Sequence, residues 1–273
     1  MNLFDAVELG DLAVVIKFLV QSATPATVDD IIRHLRRALD VEGAAPVPGA
    51  AKARSGSAPS TSLILEALRS SLLVDKLVAD AWFKTVSAIG AAADHRPADL
   101  LLLVILHGAP QRRRKVAALW KKKVASGRFN VALLEHFFRI FGDALVDCAR
   151  PLQIVAGTLL GSAQTECQAF ARATYVGLVR FLDPLLRQDV VAVLISHIGS
   201  GSEHEADGAF AVLQTVAADD ARLLAPFVVF IKGLLDFLDS LSPSNTRALF
   251  VILAAVGLCV MLTFLFVCVS DCC

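Results

Sequence analysis

The sequence lacks an excess of charge of either sign. Its 26 Lys and Arg residues are matched by 26 Asp and Glu residues, so the formal net charge is +0. A neutral chain has no whole-molecule attraction to nucleic acid or to a membrane surface, and any such contact has to come from a local patch. The chain has 273 residues, of which 56% are hydrophobic. This composition excludes a disordered chain and suffices for one or two domains with large cores.

Metal-binding and catalytic motifs are also missing. The six cysteines include no CxxC pair, and no two of the six histidines have the i, i+4 spacing of a helical zinc site with an intervening acid. The turn IGSGSE at Ile198–Glu203 has neither the length and lysine of a phosphate loop nor the residue order of a nucleophile elbow. We therefore predict no catalytic residue, no metal site and no cofactor, and a chain that is not an enzyme. A helical hydrolase using Glu203 and His204 is the weakest alternative.

The first residues show no export signal. Asp5, Glu8 and Asp11 stand where a secretory signal is positively charged and then continuously apolar. Together with the lack of a short disulfide framework, this predicts an intracellular, reducing compartment.

Helical periodicity is abundant. From residue 62 onward apolar residues recur at three- and four-residue steps, and no stretch alternates convincingly as a strand. Turn residues separate these segments at intervals of roughly 15 to 20 residues, without an exact sequence repeat. The pattern predicts an all-α fold, an α-solenoid of stacked antiparallel helix pairs. The predicted helices are Leu63–Leu72, Lys76–Ile89, Pro97–His107, Gln111–Ser126, Val131–Cys148, Leu152–Leu160, Gln164–Leu182 and Pro184–His197, and the segment Val41–Thr61 is predicted to be a linker.

The stretch His197–Val256 carries the clearest helix starts. Ser202 followed by Glu205 has the spacing of a capping box, in which the serine and glutamate side chains each accept from a backbone N–H. Ser242 before Pro243 is a second start, because proline at the first helical position loses no hydrogen bond. Between these starts, the apolar spacing over Leu223–Leu238 predicts one more helix.

A basic segment, QRRRKVAALWKKKVASGRF, spans Gln111–Phe129 without an acidic residue. Val116, Leu119, Trp120 and Val124 form its predicted buried stripe, and Gly127 is predicted to end the helix. The cations predict a face that contacts nucleic-acid phosphates, and the alternative is a solvated helix face. With few aromatic residues nearby, recognition of single strands by stacking is not predicted. The candidate DNA-binding residues are Arg112, Arg113, Arg114, Lys115, Lys121, Lys122, Lys123 and Arg128.

The order of landmarks resembles the Fanconi anaemia group I family. The landmarks are a Gly-Ser-Gly turn, an acidic and apolar helix, a K-G-hydrophobic-L-D helix, a Ser-Pro start and an R-x-L-F helix. Upstream, DLLLLVILHGAPQRRRKVAALWKKKVASGRF resembles the family's Leu-rich helix followed by its basic helix. The resemblance spans roughly Leu63 to Val256, is clear from about Asp99, and covers an early fraction of a very long family member. The landmark residues are Gly199–Gly201, Glu203–Leu213, Lys232–Asp239, Ser242–Pro243 and Arg247–Phe250.

The resemblance implies a nuclear α-solenoid scaffold. Members of that family pair with a paralogous Fanconi protein, bind duplex and branched DNA, and are monoubiquitinated during interstrand cross-link repair. Their ubiquitin-acceptor lysine lies beyond the matching segment, so no lysine of this chain inherits that role. The implied organisation is an N-terminal helical segment (1–40), a linker (41–62), the end of a first solenoid (63–94), a helical domain (95–186), the start of a second solenoid (187–256) and a divergent tail (257–273).

The tail departs from the family pattern. Residues 248–269 form a run of 22 without a charge, long enough to span a bilayer. One interpretation is a tail-anchored helical adaptor in a membrane, with Cys272 and Cys273 as acylation sites. The other is a buried solenoid helix up to Val256, followed by a divergent or spurious end of a truncated chain.

Overall fold

The computed structural model describes residues 28–43, 76–90, 95–129, 131–142 and 146–270, together with Thr24 and Ala26. These described residues form helices and turns and include no strand, which confirms the all-α prediction. The predicted helix Leu63–Leu72, most of the predicted linker and the two terminal cysteines lie outside them. The α-helices are α1 (Val28–Gly43), α2 (Lys76–Ser87), α3 (Arg96–Gly108), α4 (Arg113–Ala125), α5 (Ala132–Phe141), α6 (Val146–Leu160), α7 (Thr165–Phe181), α8 (Pro184–Ile198), α9 (Glu203–Asp220), α10 (Val228–Lys232) and α11 (Pro243–Ser270).

The chain divides into two compact units, Met1–Pro151 and Leu152–Cys273. In the first unit the central element is α3, against which α1, α2, α4 and α5 all pack. Ten consecutive residues of this helix, Pro97–Leu106, are buried. A helix that is apolar on every side is a core helix, so the sequence LLLLVIL places α3 at the centre of the unit.

In the second unit α7, α9 and α11 lie side by side, with α9 in the middle. An ion pair between Arg180 and Asp219 joins the last turns of α7 and α9. Toward the other end of α9, Asn245 Nδ2 donates to Asp207 Oδ1 at 2.7 Å and joins the N-terminal part of α9 to the first turn of α11. The three helices therefore run in the same direction, while α8 returns between α7 and α9 and contacts α10. This alternation is the α-solenoid arrangement that the periodicity predicted.

Both predicted helix starts in this unit are present, one of them in modified form. Ser242 Oγ accepts from the Asn245 N–H at 3.2 Å. Ser202 Oγ accepts from the Glu205 N–H at 3.4 Å. The Glu205 carboxylate does not complete the capping box, because it accepts from His197 Nδ1 at 2.8 Å.

Three predicted segments are wrong in their extent. The predicted helix Val131–Cys148 is divided between α5 and α6, because Gly142 has φ of 37°, a left-handed conformation that ends α5. The predicted helix over Leu223–Leu238 is divided into two three-residue 3₁₀ turns, α10 and the eight-residue 3₁₀ helix Gly233–Ser240. Pro226 has no N–H and cannot continue an α-helix from the preceding turn. The predicted linker begins too early, since α1 extends to Gly43.

Up to Met261, the apolar helix α11 has one buried face and one exposed face. Its segment Pro243–Met261 is long and apolar enough to cross a membrane, judged by length and composition alone, a test that core helices of soluble proteins also pass. The buried side chains face the core of the second unit, as a solenoid helix requires. The buried residues are Ala248, Leu249, Ile252 and Val256, and the large exposed ones are Phe250, Val251, Leu258 and Met261.

A polar network crosses the second unit. His197 Nδ1 donates to the Glu205 carboxylate, and His197 Nε2 lies 3.2 Å from the Tyr175 hydroxyl oxygen, within hydrogen-bond distance. The backbone of α6 lies directly against the network, because a Cβ atom on Gly157 would lie 3.2 Å from the Tyr175 oxygen. Burial, with a smaller effect of Glu205, raises the pKa of Tyr175 to about 12.

We predict that this network makes the chain sensitive to alkali. The unfolded chain loses the phenolic proton near the ordinary pKa of 10.0, and the folded chain only at about 12. The contribution of Tyr175 to the free energy of unfolding is therefore fully present below pH 10. It is lost as pH rises toward 12, by about 2 to 3 kcal/mol. Because Tyr175 is the single tyrosine of the chain, tyrosinate absorbance reports it alone. A native midpoint close to that of the urea-unfolded chain would contradict the prediction. The variant Tyr175→Phe should lose less stability over the same interval.

Candidate nucleic-acid interface

The helix α4 presents one face of cations to solvent. Arg114, Lys115, Lys121 and Lys122 are all exposed. With 3.6 residues per turn, these four positions fall within an arc of about 120° and extend about 12 Å along the helix axis. The cations therefore form a compact positive strip along one helix.

The opposite face of α4 is anchored in the core of the first unit. Val116 and Trp120 are fully buried, and Val124 nearly so. The Trp120 ring also meets Phe129 edge to face, with 5.6 Å between centroids. Three of the four residues of the predicted buried stripe are thus buried, while Leu119 lies at its margin. This packing fixes which cations point outward.

Lys123 belongs to the buried face although it lies in the basic segment. Its amino group pairs with the carboxylate of Asp99, and the residues are only 8% and 1% exposed. Asp99 lies in the first turn of α3 and Lys123 in the last turn of α4, positions at which the helix dipoles favour an anion and a cation respectively. The Lys123 amino group therefore stabilises the fold and is not available to a ligand in solvent.

The Arg113 side chain also bonds to another part of the first unit. Its Nε donates to the Leu106 carbonyl at 3.1 Å and its Nη2 to the His107 carbonyl at 3.3 Å, so it caps the C-terminal end of α3. It also lies 3.5 Å from the exposed carboxylate of Asp147. Since the start of α4 meets the end of α3, and Lys123 joins the opposite ends, the two helices are antiparallel.

Arg112 pairs with a partly exposed carboxylate of α2. Its Nε donates to Asp80, and its guanidinium lies 5.6 Å from the centroid of the Phe83 ring. The hydrogen bond from Arg112 holds the pKa of the Asp80 carboxyl below its ordinary value of 3.8, with burial opposing the shift and with Lys76 and Lys115 contributing. Both partners are partly exposed, with side-chain exposures of 18% for Arg112 and 29% for Asp80.

The end of α4 is a glycine turn of the predicted kind. Gly127 has φ of 66°, and its N–H donates to the Val124 carbonyl at 2.9 Å. The Arg128 N–H donates to the Lys123 carbonyl at 2.9 Å, which completes a Schellman motif. The motif confirms the predicted stop at Gly127 and leaves the Arg128 side chain exposed just beyond α4.

The structure therefore divides the eight predicted residues into two groups. Lys123, Arg113 and Arg112 contact other parts of the first unit, and the others point to solvent. The sequence prediction missed Asp80 and Asp99 as the partners of Arg112 and Lys123. For Asp99 a signal was present, because a carboxylate in the otherwise apolar run of α3 needs a cation beside it. The solvent-facing group, here called the basic strip, consists of Arg114, Lys115, Lys121, Lys122 and Arg128.

The sequence of this chain matches a known protein family. The family model described as "Fanconi anaemia protein FancD2 nuclease" matches residues 1–260. The chain belongs to the FancD2 family. Similar proteins include the Fanconi anemia group D2 protein homologs of Mus musculus and Rattus norvegicus, each 29% identical over 274 residues, and the group D2 protein of Gallus gallus, 26% identical. The alignments cover 94% of this chain and 19% of each relative, so the chain spans about a fifth of their length.

This FancD2-family relationship confirms the Fanconi resemblance at the level of the wider family. The finer expectation of a group I protein is not supported, because the relatives are named group D2. The match also extends to residue 260, through most of the described side chains of α11. The comparisons give the membrane-anchor alternative no support.

A nuclease commonly holds divalent metal ions between acidic side chains. Among the residues that the structure describes, no group of three or more His, Cys, Asp or Glu side chains could hold a metal ion. Cys148 is buried and donates to the Leu106 carbonyl at 3.5 Å, and burial raises its pKa to about 11. Its thiol is therefore a core group and not a nucleophile at neutral pH.

We predict that Lys123 and Lys121 differ sharply in their effect on stability. The substitution Lys123→Met removes the cation that compensates the buried Asp99 carboxylate and should lower the free energy of unfolding by about 3 to 5 kcal/mol. Lys121→Met, on the exposed face of the same helix, should leave it nearly unchanged. Urea unfolding followed by tryptophan fluorescence measures both, since Trp82 and Trp120 are the two tryptophans of the chain.

The double variant Asp99→Leu with Lys123→Met provides the control. It removes both charges and should recover most of the lost stability. Equal unfolding midpoints for Lys123→Met and Lys121→Met would show that the buried pair contributes nothing.

Proposed function

We propose that this chain is a non-enzymatic helical scaffold segment that binds duplex DNA through the basic strip and acts in Fanconi DNA repair. The observation that carries the proposal is the exposure of five cations on and just beyond one helix whose other face is fixed in the core. Each phosphate that such a cation neutralises releases a counterion from DNA and adds affinity that falls with salt. A neutral chain thereby gains a local contact surface for a polyanion.

The composition of the strip favours the phosphate backbone over the bases. Its exposed positions are Arg and Lys, with Ala118 and Ala125 between them, so no aromatic side chain of α4 is available to stack on a base. Trp120 is buried, and Phe129 packs against it. Contacts of this kind position a protein on duplex DNA without reading its sequence.

The role in repair and the location in the nucleus come from the FancD2-family relationship. The resemblance to the paralogous group I family adds pairing between Fanconi proteins to the proposal. Because the relatives of this chain are named group D2, the partner we propose is a group I protein. Since this chain spans a fifth of its relatives, pairing is a property to be tested on this chain directly.

The DNA-binding role predicts a loss of salt-dependent affinity when the strip is neutralised. Replacing Lys121 and Lys122 with Gln should weaken binding to a mixed-sequence blunt duplex roughly 10- to 100-fold at low salt. The plot of log affinity against log salt should become shallower by about two, one for each lost phosphate contact. Fluorescence anisotropy at several salt concentrations measures both quantities.

A matched control separates the strip from net charge. Lys232→Gln with Arg247→Gln removes the same two charges from exposed positions of the second unit. Binding by this variant should resemble the parent chain. If it loses as much affinity as the α4 variant, or if the α4 variant binds like the parent, the strip is not the DNA site.

Pairing predicts a stable complex with a group I Fanconi protein. When the two are mixed at micromolar concentration, light scattering coupled to size exclusion should give the summed mass of one copy of each. Separate elution of both proteins across that concentration range would contradict pairing through this segment. DNA binding by the strip would remain a separate question, since its measurement uses the chain alone.

A further inference from the structure

One carboxylate lies at the edge of the basic strip. Asp80, on α2, pairs with Arg112 in the turn that precedes α4. Lys115 of the strip and Lys76 are close enough to help lower the pKa of this carboxyl. Asp80 therefore lies in a positive field to which Arg112 and a member of the strip both contribute.

Arg112 is held in a way that would allow it to exchange its anion. The hydrogen bond to Asp80 uses Nε, one of the five N–H donors of the guanidinium group. The ring of Phe83 supports the guanidinium from one side, and a pocket of about 600 Å³ lined by Phe83, Lys84 and Ser87 opens beside it. A phosphate oxygen offers the same kind of acceptor as a carboxylate oxygen, with bidentate geometry.

Lys123 and Arg113 cannot exchange their partners in the same way. Lys123 is bonded to a carboxylate that is 1% exposed, which no solvent anion can reach. Arg113 is bonded to two backbone carbonyls that end α3, and a phosphate cannot replace them without uncapping that helix. The partner of Arg112 is a side chain 29% exposed to solvent. Arg113 also lies 3.5 Å from the exposed Asp147 carboxylate, but its hydrogen bonds to α3 hold it in place whichever anion is nearby. Of the three, Arg112 is therefore the one whose guanidinium hydrogen bond goes to an accessible side chain.

We propose that Asp80 is an intramolecular competitor of DNA phosphate. In the free chain its carboxylate occupies Arg112, and on binding a backbone phosphate takes its place and makes Arg112 a further ligand beside the strip. The inference rests on the proposed DNA-binding function. Asp80 weakens binding at every sequence equally, because it competes for a phosphate contact and not for a base.

The test is the substitution Asp80→Asn in the full chain, with the same blunt duplex. Removing the carboxylate should tighten binding about threefold to tenfold at low salt and steepen the salt dependence by about one. The double variant Asp80→Asn with Arg112→Gln should return both values close to those of the parent. Unchanged tryptophan emission verifies that the first unit is folded, and Asp80→Ala serves as a second charge-removing variant if Asp80→Asn alters the emission.

Asp147→Asn is the matched control for net charge. It removes one carboxylate that is 74% exposed and lies beside Arg113, whose hydrogen bonds to α3 persist. Its affinity should change less than twofold. The inference is overturned if Asp147→Asn tightens binding as much as Asp80→Asn, or if the double variant keeps the gain. Loss of binding in the Lys121 and Lys122 variant with no effect of Asp80→Asn would overturn the competition and retain the proposed function.

Discussion

The orientation of the basic helix depends on one buried ion pair. Asp99 lies in α3, the buried central helix of the first unit, and removing a carboxylate from water costs several kcal/mol unless a cation compensates it. Lys123 supplies that cation from the last turn of α4. Rotating α4 by even one residue would expose apolar side chains and separate Lys123 from the Asp99 carboxylate. The pair therefore selects one rotation of α4, and that rotation determines which cations reach solvent.

In both units, an arginine at the start of one helix donates to the last carbonyls of the helix before it. Arg113 donates to the last carbonyls of α3. In the second unit, Arg187 donates to the Val179 carbonyl at 2.6 Å and to the Leu182 carbonyl at 2.9 Å at the end of α7. Each arginine satisfies carbonyls that the helix end leaves unpaired and fixes the next helix across the turn. Repetition of this contact gives a solenoid a regular geometry without a repeated sequence.

Sequence reasoning succeeded where the cause was local. Ser242 and Gly127 act on backbone groups two or three residues away, and apolar spacing fixed the buried stripe of α4. It failed where the cause was distant in the chain, as for Asp80, which lies 32 residues from Arg112. The order of the landmarks identified a Fanconi relationship, but the individual landmarks are capping turns and apolar stripes, which any solenoid needs. They did not distinguish group I from group D2.

Burial of the partner decides what each cation of the basic segment can do. Lys123 faces a buried carboxylate and belongs to the fold, whereas the exposed cations of α4 interact with water and remain available to a polyanion. Arg112 lies between these extremes because its carboxylate is accessible. A screened surface pair is worth little, so another anion can replace the carboxylate at small cost. Local positive charge on a neutral chain is thus set less by the number of Lys and Arg residues than by how deeply their acidic partners are buried.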